Sequence, residues 1–172
     1  NGKFVVPVRL TDNCICEQLP TIAEVDGVAA GAALGYDGAN LHQLREGTLA
    51  VIRNSYPTPS IPDDETASGE FYIDSIGILP HYRNLGAGKK LLMAMVGKGL
   101  ALGNDKVGLL VDFETSGAAA LYEGCGFKPV GEKLFYSHKM HHLQCTHLQA
   151  EEKILYTGLN YPQVKEFCGD KI

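Results

Sequence analysis

The chain has 172 residues, 45% of them hydrophobic and 20% charged, with a formal net charge of -5, which suits one compact globular domain rather than a disordered segment. An acidic chain is a poor partner for nucleic acid, whose binding rests on Lys and Arg neutralising phosphates. No stretch approaches the roughly 20 uninterrupted apolar residues of a membrane span, and no basic-then-apolar leader precedes the domain, so the cytoplasm is the expected compartment although the chain opens at Asn1 without a Met.

Taken in chain order, residues 1–20 are unplaced: Lys3–Leu10 reads as a strand that Pro7 confines to an edge or breaks. Ile22 to Tyr36 reads as two strands joined at Asp26-Gly27, a preferred two-residue hairpin turn. Small residues crowd the second strand and predict a close neighbour. Leu41, Leu44, Leu49 and Ile52 recur near helical spacing and predict a helix over 41–55. Tyr56–Ser68, with Pro57, Pro59, Pro62 and the run Asp63-Asp64-Glu65, is expected to be a surface loop whose acidity is merely solvated. Glu70–Ile78 is a strand stopped by Leu79-Pro80. Apolar residues at 91, 92, 95, 96, 100 and 102 predict a helix ending near Gly103-Asn104.

Val107–Asp112 reads as a strand buried on both faces, and Ser116–Cys125 as a helix with Ser116 a candidate N-cap and Gly126 past its end. Phe127–Val130 and Leu134–Met140 read as the two final strands. The order β-β-(α)-β-α-β-α-β-β predicts an α/β (α+β) fold, with a parallel pairing inside an otherwise antiparallel sheet. The domain is expected over 21–144, with 145–172 an arm or the start of a further unit.

The chemistry concentrates in Ile76–Leu92. A strand runs into a turn, Arg83-Asn-Leu-Gly86-Ala-Gly88, and then a helix N-terminus. Glycine lets backbone curl closely around a ligand. The first helical amides lack intrahelical partners and the helix dipole adds positive potential, which makes an anion site suited to a phosphate or pyrophosphate. His81, Arg83, Lys89 and Lys90 reverse the sign of the acidic chain locally. A dinucleotide fingerprint needs a third glycine where Leu91 stands. A Walker loop needs Gly at 83 and Ser or Thr at 90, where Arg83 and Lys90 stand.

Arg83-x-x-Gly86-x-Gly88 after a strand ending Ile76-x-Ile78 resembles the pyrophosphate motif of the GNAT superfamily of acyl-CoA-dependent N-acyltransferases. Ala119-Ala-Leu-Tyr122-Glu-Gly-Cys-Gly126-Phe127 resembles the second signature of that family. The resemblance spans about residues 21–143 and implies a mixed, mostly antiparallel sheet flanked by helices, with two central parallel strands splayed around the thioester. It implies acetyl-CoA as cosubstrate and no metal. Ile76, Gly77 and Ile78 would meet the pantetheine arm, and Arg83, Asn84, Leu85, Gly86, Ala87, Gly88 and Lys89 the pyrophosphate. Tyr122 would protonate the departing thiolate.

A carboxylate on the strand ending at Ile78 would be the base. By period two, Glu70, Tyr72, Asp74, Ile76 and Ile78 share one face. Asp74 and Glu70 are the candidates there, Tyr72 standing where some members carry a Glu; Asp112 and Glu114 on the next strand are alternatives. The usual Asn contact to the cofactor would come from Thr115 or Ser116, or be missing.

The expected partner is a small-molecule or peptide amine acceptor, and a homodimer is the assembly considered; nucleic acid and membrane are not expected. The family usually opens with a strand and two helices over the acceptor site, and only about twenty residues precede the Asp26-Gly27 hairpin. The rival reading is a module that binds acyl-CoA without catalysis, as a sensor or scaffold. A different phosphate-ligand enzyme sharing the strand-turn-helix is a third.

Five cysteines at irregular spacing, Cys14, Cys16, Cys125, Cys145 and Cys168, predict free thiols rather than a disulfide framework or zinc site, with Cys125 in the core. His138, His141, His142, Cys145 and His147 invite a metal reading, but strand geometry scatters them, so a polar edge strand is expected instead.

Overall fold

The computed structural model describes residues 4–5, 20–55, 61–113 and 116–146. Cys14, Cys16, Cys168, Glu114, Thr115, His147 and the Asn160-Tyr-Pro162 turn lie outside them, as does the side chain of Ser116. Strands β1 (Phe4–Val5), β2 (Thr21–Val25), β3 (Val28–Asp37), β4 (Glu70–Ile78), β5 (Lys106–Asp112), β6 (Lys128–Phe135) and β7 (His138–Thr146) alternate with helices α1 (Leu41–Ser55), α2 (Ala87–Ala101) and α3 (Ser116–Gly124). They form one seven-stranded sheet in the order β1-β2-β3-β4-β5-β7-β6. Every pairing is antiparallel except β4 with β5, the mixed architecture the sequence predicts.

Local chemistry explains most boundaries. Asp26 (φ 52°) and Gly27 (φ 80°) form the two-residue turn between β2 and β3, with both dihedrals in the sense that matches strand twist. Gly31 accounts for part of the small-residue crowding in β3: a Cβ there would stand 2.4 Å from Ile78 Cδ1. Helix α2 ends in a Schellman cap. Gly103 takes φ 88°, its amide donates to the Leu100 carbonyl, and the Asn104 amide donates to the Gly99 carbonyl.

Two expectations about the last strands are corrected. β6 and β7 meet at a two-residue turn, Tyr136-Ser137, where both residues have positive φ (49° and 67°), so Leu134–Met140 is not one strand. β7 is not an edge strand either, because it lies between β5 and β6.

The two faces of the sheet carry different layers. Helices α2 and α3 cover one face over the main core, in which Ala23, Ala33, Phe71, Ile73, Leu91, Leu92, Met95, Leu109 and Cys125 are buried. Of the apolar positions that predict α2, only Leu102, just past its end, is left exposed. The opposite face carries a smaller cluster in which α1 contributes Leu41 against Tyr36 of β3 and Tyr72 of β4. No described helix is long and apolar enough to cross a membrane.

Candidate active site

Strand β4 changes phase in its middle. Leu34 of β3 pairs with Ser75 and Gly35 with Ile73, so Asp74 is an extra, unpaired residue, a β-bulge. Before it, Phe71 and Ile73 point to the α2 face; after it, Ile76 and Ile78 do. The period-two expectation that Glu70, Tyr72, Asp74, Ile76 and Ile78 share one face is therefore corrected. One added residue inverts the alternation: Glu70, Tyr72 and Asp74 share the face opposite α2, where Tyr72 and Asp74 stand with Tyr36, while Ile76 and Ile78 turn to the α2 side.

The same strand leaves its parallel neighbour early. Ladder pairs between β4 and β5 stop at Tyr72 with Gly108, although β4 continues to Ile78 and β5 to Asp112. The two strands splay, and β4 beyond Tyr72 has no partner on that side among the described residues. The Leu79 amide donates to the Ala30 carbonyl of β3 at 2.8 Å. Because backbone groups alternate sides along a strand, Gly77 also faces β3, while Ile76 and Ile78 face the open gap. Arg83 Nε donates to the Ile78 carbonyl at 3.1 Å, which fills one of the two acceptor sites of that oxygen.

After Ile78 the chain makes a single 3-10 turn, Pro80–Tyr82, then Asn84 (φ 62°) and Gly86 (φ 81°) reverse it into α2. Gly86 caps the helix in the left-handed region, where a side chain would be strained. The first intrahelical bond runs from the Lys90 amide to the Gly86 carbonyl, so the amides of Ala87, Gly88 and Lys89 have no partner within the helix. From Ser75 to Asn104 the chain carries no carboxylate, and Arg83 and Lys89 are exposed. A Cβ on Gly88 would find only ordinary contacts, 3.6 Å to Ile78 and 3.7 Å to Leu121, so nothing in the protein itself demands glycine there. Open strand backbone leading into a cationic ring of free amides fits an extended ligand that ends in phosphates.

Tyr122 borders this region from α3. The helix ends in a second Schellman cap, with the Phe127 amide bonded to the Tyr122 carbonyl and the Gly126 amide to that of Glu123, both at 3.0 Å. Gly126 takes φ 90°. The accompanying apolar contact is Phe127 edge-on to the Tyr122 ring, 6.2 Å between centroids. The Tyr-x-x-x-Gly-Phe pattern is thus a device that holds the tyrosine ring against the main core, to which Ile76, Ile78 and Leu121 also pack. Burial pushes the Tyr122 phenol upward, which keeps it a proton donor.

On the opposite face lies a cavity of about 280 Å³, lined among others by Tyr36, Arg45, Thr48, Glu65, Asp74 and Tyr136. Its acidity is organised, which corrects the expectation of a merely solvated loop. Glu65 accepts from the Tyr36 hydroxyl at 2.8 Å and forms an ion pair with Arg45. Arg45 also donates to Asp64 Oδ1 at 2.8 Å and to the carbonyls of Pro62 and Asp63 at 3.1 Å. Lys133 of β6 holds the loop through the Glu65 carbonyl at 2.9 Å. Asp74 keeps access to solvent, yet partial burial and then the charge of Glu65 push its carboxyl above the usual carboxylate range.

The remaining candidates sit elsewhere. Glu70 is 3% exposed, bonded to His142 Nε2 at 2.7 Å and to the Thr66 hydroxyl at 3.2 Å, and does not line the cavity. Tyr72 packs edge-on against Tyr36, 5.6 Å between centroids. Asp112 is exposed at the end of β5. His141 stacks on Phe113 while His142 turns to Glu70, and no group of His, Cys, Asp or Glu that could hold a metal ion occurs among the described residues. Sequence reading misses Glu65, Tyr36 and Arg45; the only signal is the acidic run itself.

A family model described as the acetyltransferase (GNAT) family matches residues 9–127. Among solved structures, one acetyltransferase is 31% identical, covering 74% of this chain and 69% of its own, with a TM-score of 0.61. An N-acetyltransferase from Staphylococcus aureus Mu50 is 28% identical over 73% of this chain and 68% of its own, with a TM-score of 0.62. The fold likeness extends to yncA from Salmonella typhimurium, solved with its cofactor acetyl-CoA, at 15% identity over 76% of this chain and 65% of its own, TM-score 0.51. No curated protein matches the chain.

Proposed function

We propose that this chain, which belongs to the acetyltransferase (GNAT) family, transfers an acetyl group from acetyl-CoA to a primary amine by direct attack on the thioester. The observation that carries the reading is the splay of β4 from β5 after Tyr72 and Gly108. It parts the sheet between the face that carries α2 and α3 and the face that carries the acid-lined cavity. The pantetheine arm pairs with the open backbone of Ile76 and Ile78 alongside Gly77. The pyrophosphate meets the turn Arg83-Asn84-Leu85-Gly86 and the free amides of Ala87, Gly88 and Lys89.

The amine enters from the cavity and its nitrogen attacks the carbonyl carbon held in the gap. A new C–N bond forms as the C–S bond breaks. Asp74, whose raised carboxyl brings its basicity closer to neutral pH, takes the amine proton directly or through water. Tyr122 gives its proton to the departing thiolate, and its burial keeps it protonated until then. Glu70, with both oxygens engaged, supports the site through β5 and β7 rather than acting as the base.

Calorimetric titration with acetyl-CoA, followed by a thiol-release assay over a panel of primary amines, tests the reading. Binding in the micromolar range and thiol release with at least one amine are expected. Absence of acetyl-CoA binding would sink the proposal. Binding without release on any amine would leave a module that senses or scaffolds acyl-CoA.

A further inference from the structure

We propose, resting on the acceptor role just given to the cavity, that it selects a primary amine carried on an apolar body without a carboxylate, an alkylamine or arylalkylamine rather than an amino acid. The floor of the cavity is apolar: Leu41, Leu44, Leu49 and Ile52 of α1 line it, with Tyr36 and Tyr136 adding rings. Its volume of about 280 Å³ exceeds the roughly 150 Å³ of an apolar cavity that takes benzene, room enough for a phenylethylamine.

Charge sets the second half of the preference. Two carboxylates, Glu65 and Asp74, line the cavity against one described cation, Arg45. That guanidinium is committed: its side chain is 11% exposed and its two terminal nitrogens donate to Asp64, Glu65 and the carbonyls of Pro62 and Asp63. An ammonium entering the cavity meets Asp74, Glu65 being already paired with Arg45. A carboxylate on the same ligand meets Asp74 too and no unengaged cation among the described lining residues, so charge disfavours it.

The test is calorimetry on the full chain with three probes. 2-Phenylethylamine is compared with phenylalanine, which adds a carboxylate, and with ethanolamine, which removes the apolar body. Phenylethylamine is expected to bind at least tenfold more tightly than either. Equal or tighter binding of phenylalanine or ethanolamine, or no binding of phenylethylamine, overturns the proposal. Thr48→Lys places a cation on the exposed side of α1 where it lines the cavity, and should narrow the phenylethylamine-to-phenylalanine ratio at least threefold. An unchanged ratio in a variant with native circular dichroism means the amine sits elsewhere and refutes the assignment. Acetyl transfer is decided separately by thiol release. Release with phenylalanine as readily as with phenylethylamine overturns the selectivity and leaves acetyl transfer standing. Selective binding of phenylethylamine without thiol release from any amine of the panel upholds the selectivity and removes acetyl transfer.

Discussion

Replacing Gly108 with Ala drives a methyl group into the carboxylate of Glu70. A Cβ at 108 would stand 1.4 Å from Glu70 Oε1 and 2.5 Å from its Cδ, far inside contact distance, so Glu70 must move. It is held at both oxygens, by His142 Nε2 at 2.7 Å and the Thr66 hydroxyl at 3.2 Å, in a site that leaves it 3% exposed. Displacing it leaves buried polar groups of the Glu70, His142 and Thr66 cluster without partners, at about 1–3 kcal/mol each, out of a typical total of about 5–15 kcal/mol. At roughly 2–4 °C per kcal/mol for a chain of this size, the melting temperature should fall by about 10 °C. Thermal unfolding of G108A, E70A and the double variant measures this. With Ala at 70 the methyl at 108 no longer meets the carboxylate, so the second substitution should cost little. Strictly additive losses, or a G108A loss under about 1 kcal/mol, would refute the picture of a pinned Glu70. The same variants separate architecture from catalysis. Glu70→Gln should lower stability while the turnover per folded molecule stays within a few-fold; a hundredfold loss at unchanged melting temperature would make Glu70 the base.

Tyr122→Phe should lower kcat by about a hundredfold, the usual scale for a general acid, with acetyl-CoA affinity by calorimetry nearly unchanged; undiminished turnover would remove Tyr122 from the chemistry. Asp74 works as a base only when deprotonated, and its carboxyl lies above the ordinary range, so kcat should rise with pH through that raised value and flatten above it. Asp74→Asn should abolish the rise, and its survival in a stopped-flow pH profile would point to another group. Gly86→Ala forces a side chain into φ 81°, costs about 1–2 kcal/mol, and should weaken acetyl-CoA binding more than tenfold by distorting the helix entry.

Elements governed by local chemistry were readable from sequence. The Asp26-Gly27 turn, the α2 period and the Tyr122-to-Phe127 segment each carry their cause within a few residues. What escaped depends on partners distant in the chain. The bulge at Asp74 leaves no mark in β4, because it exists only relative to the register of β3. Tyr136-Ser137 lacks the glycine or asparagine that normally announces a hairpin. Glu65 looked like one more loop acid, and only the fold brings it to Tyr36 and Arg45. Glu70 and His142 lie far apart in sequence and meet because β7 inserts beside β5.

The bulge in β4 also bears on how such a protein can be redesigned. Tyr72 and Asp74 address the acceptor side, while Ile76 and Ile78 address the side of the α2 N-terminus, so a single strand is split into two independently editable halves. Acceptor preference can be rewritten in the first half and in α1 while the second keeps its grip on the cosubstrate. Deleting residue 74 would restore a regular ladder of Ile73 against Gly35 and Ser75 against Leu34, leaving Ile76 and Ile78 on the α2 side and removing only the carboxylate from the acceptor side.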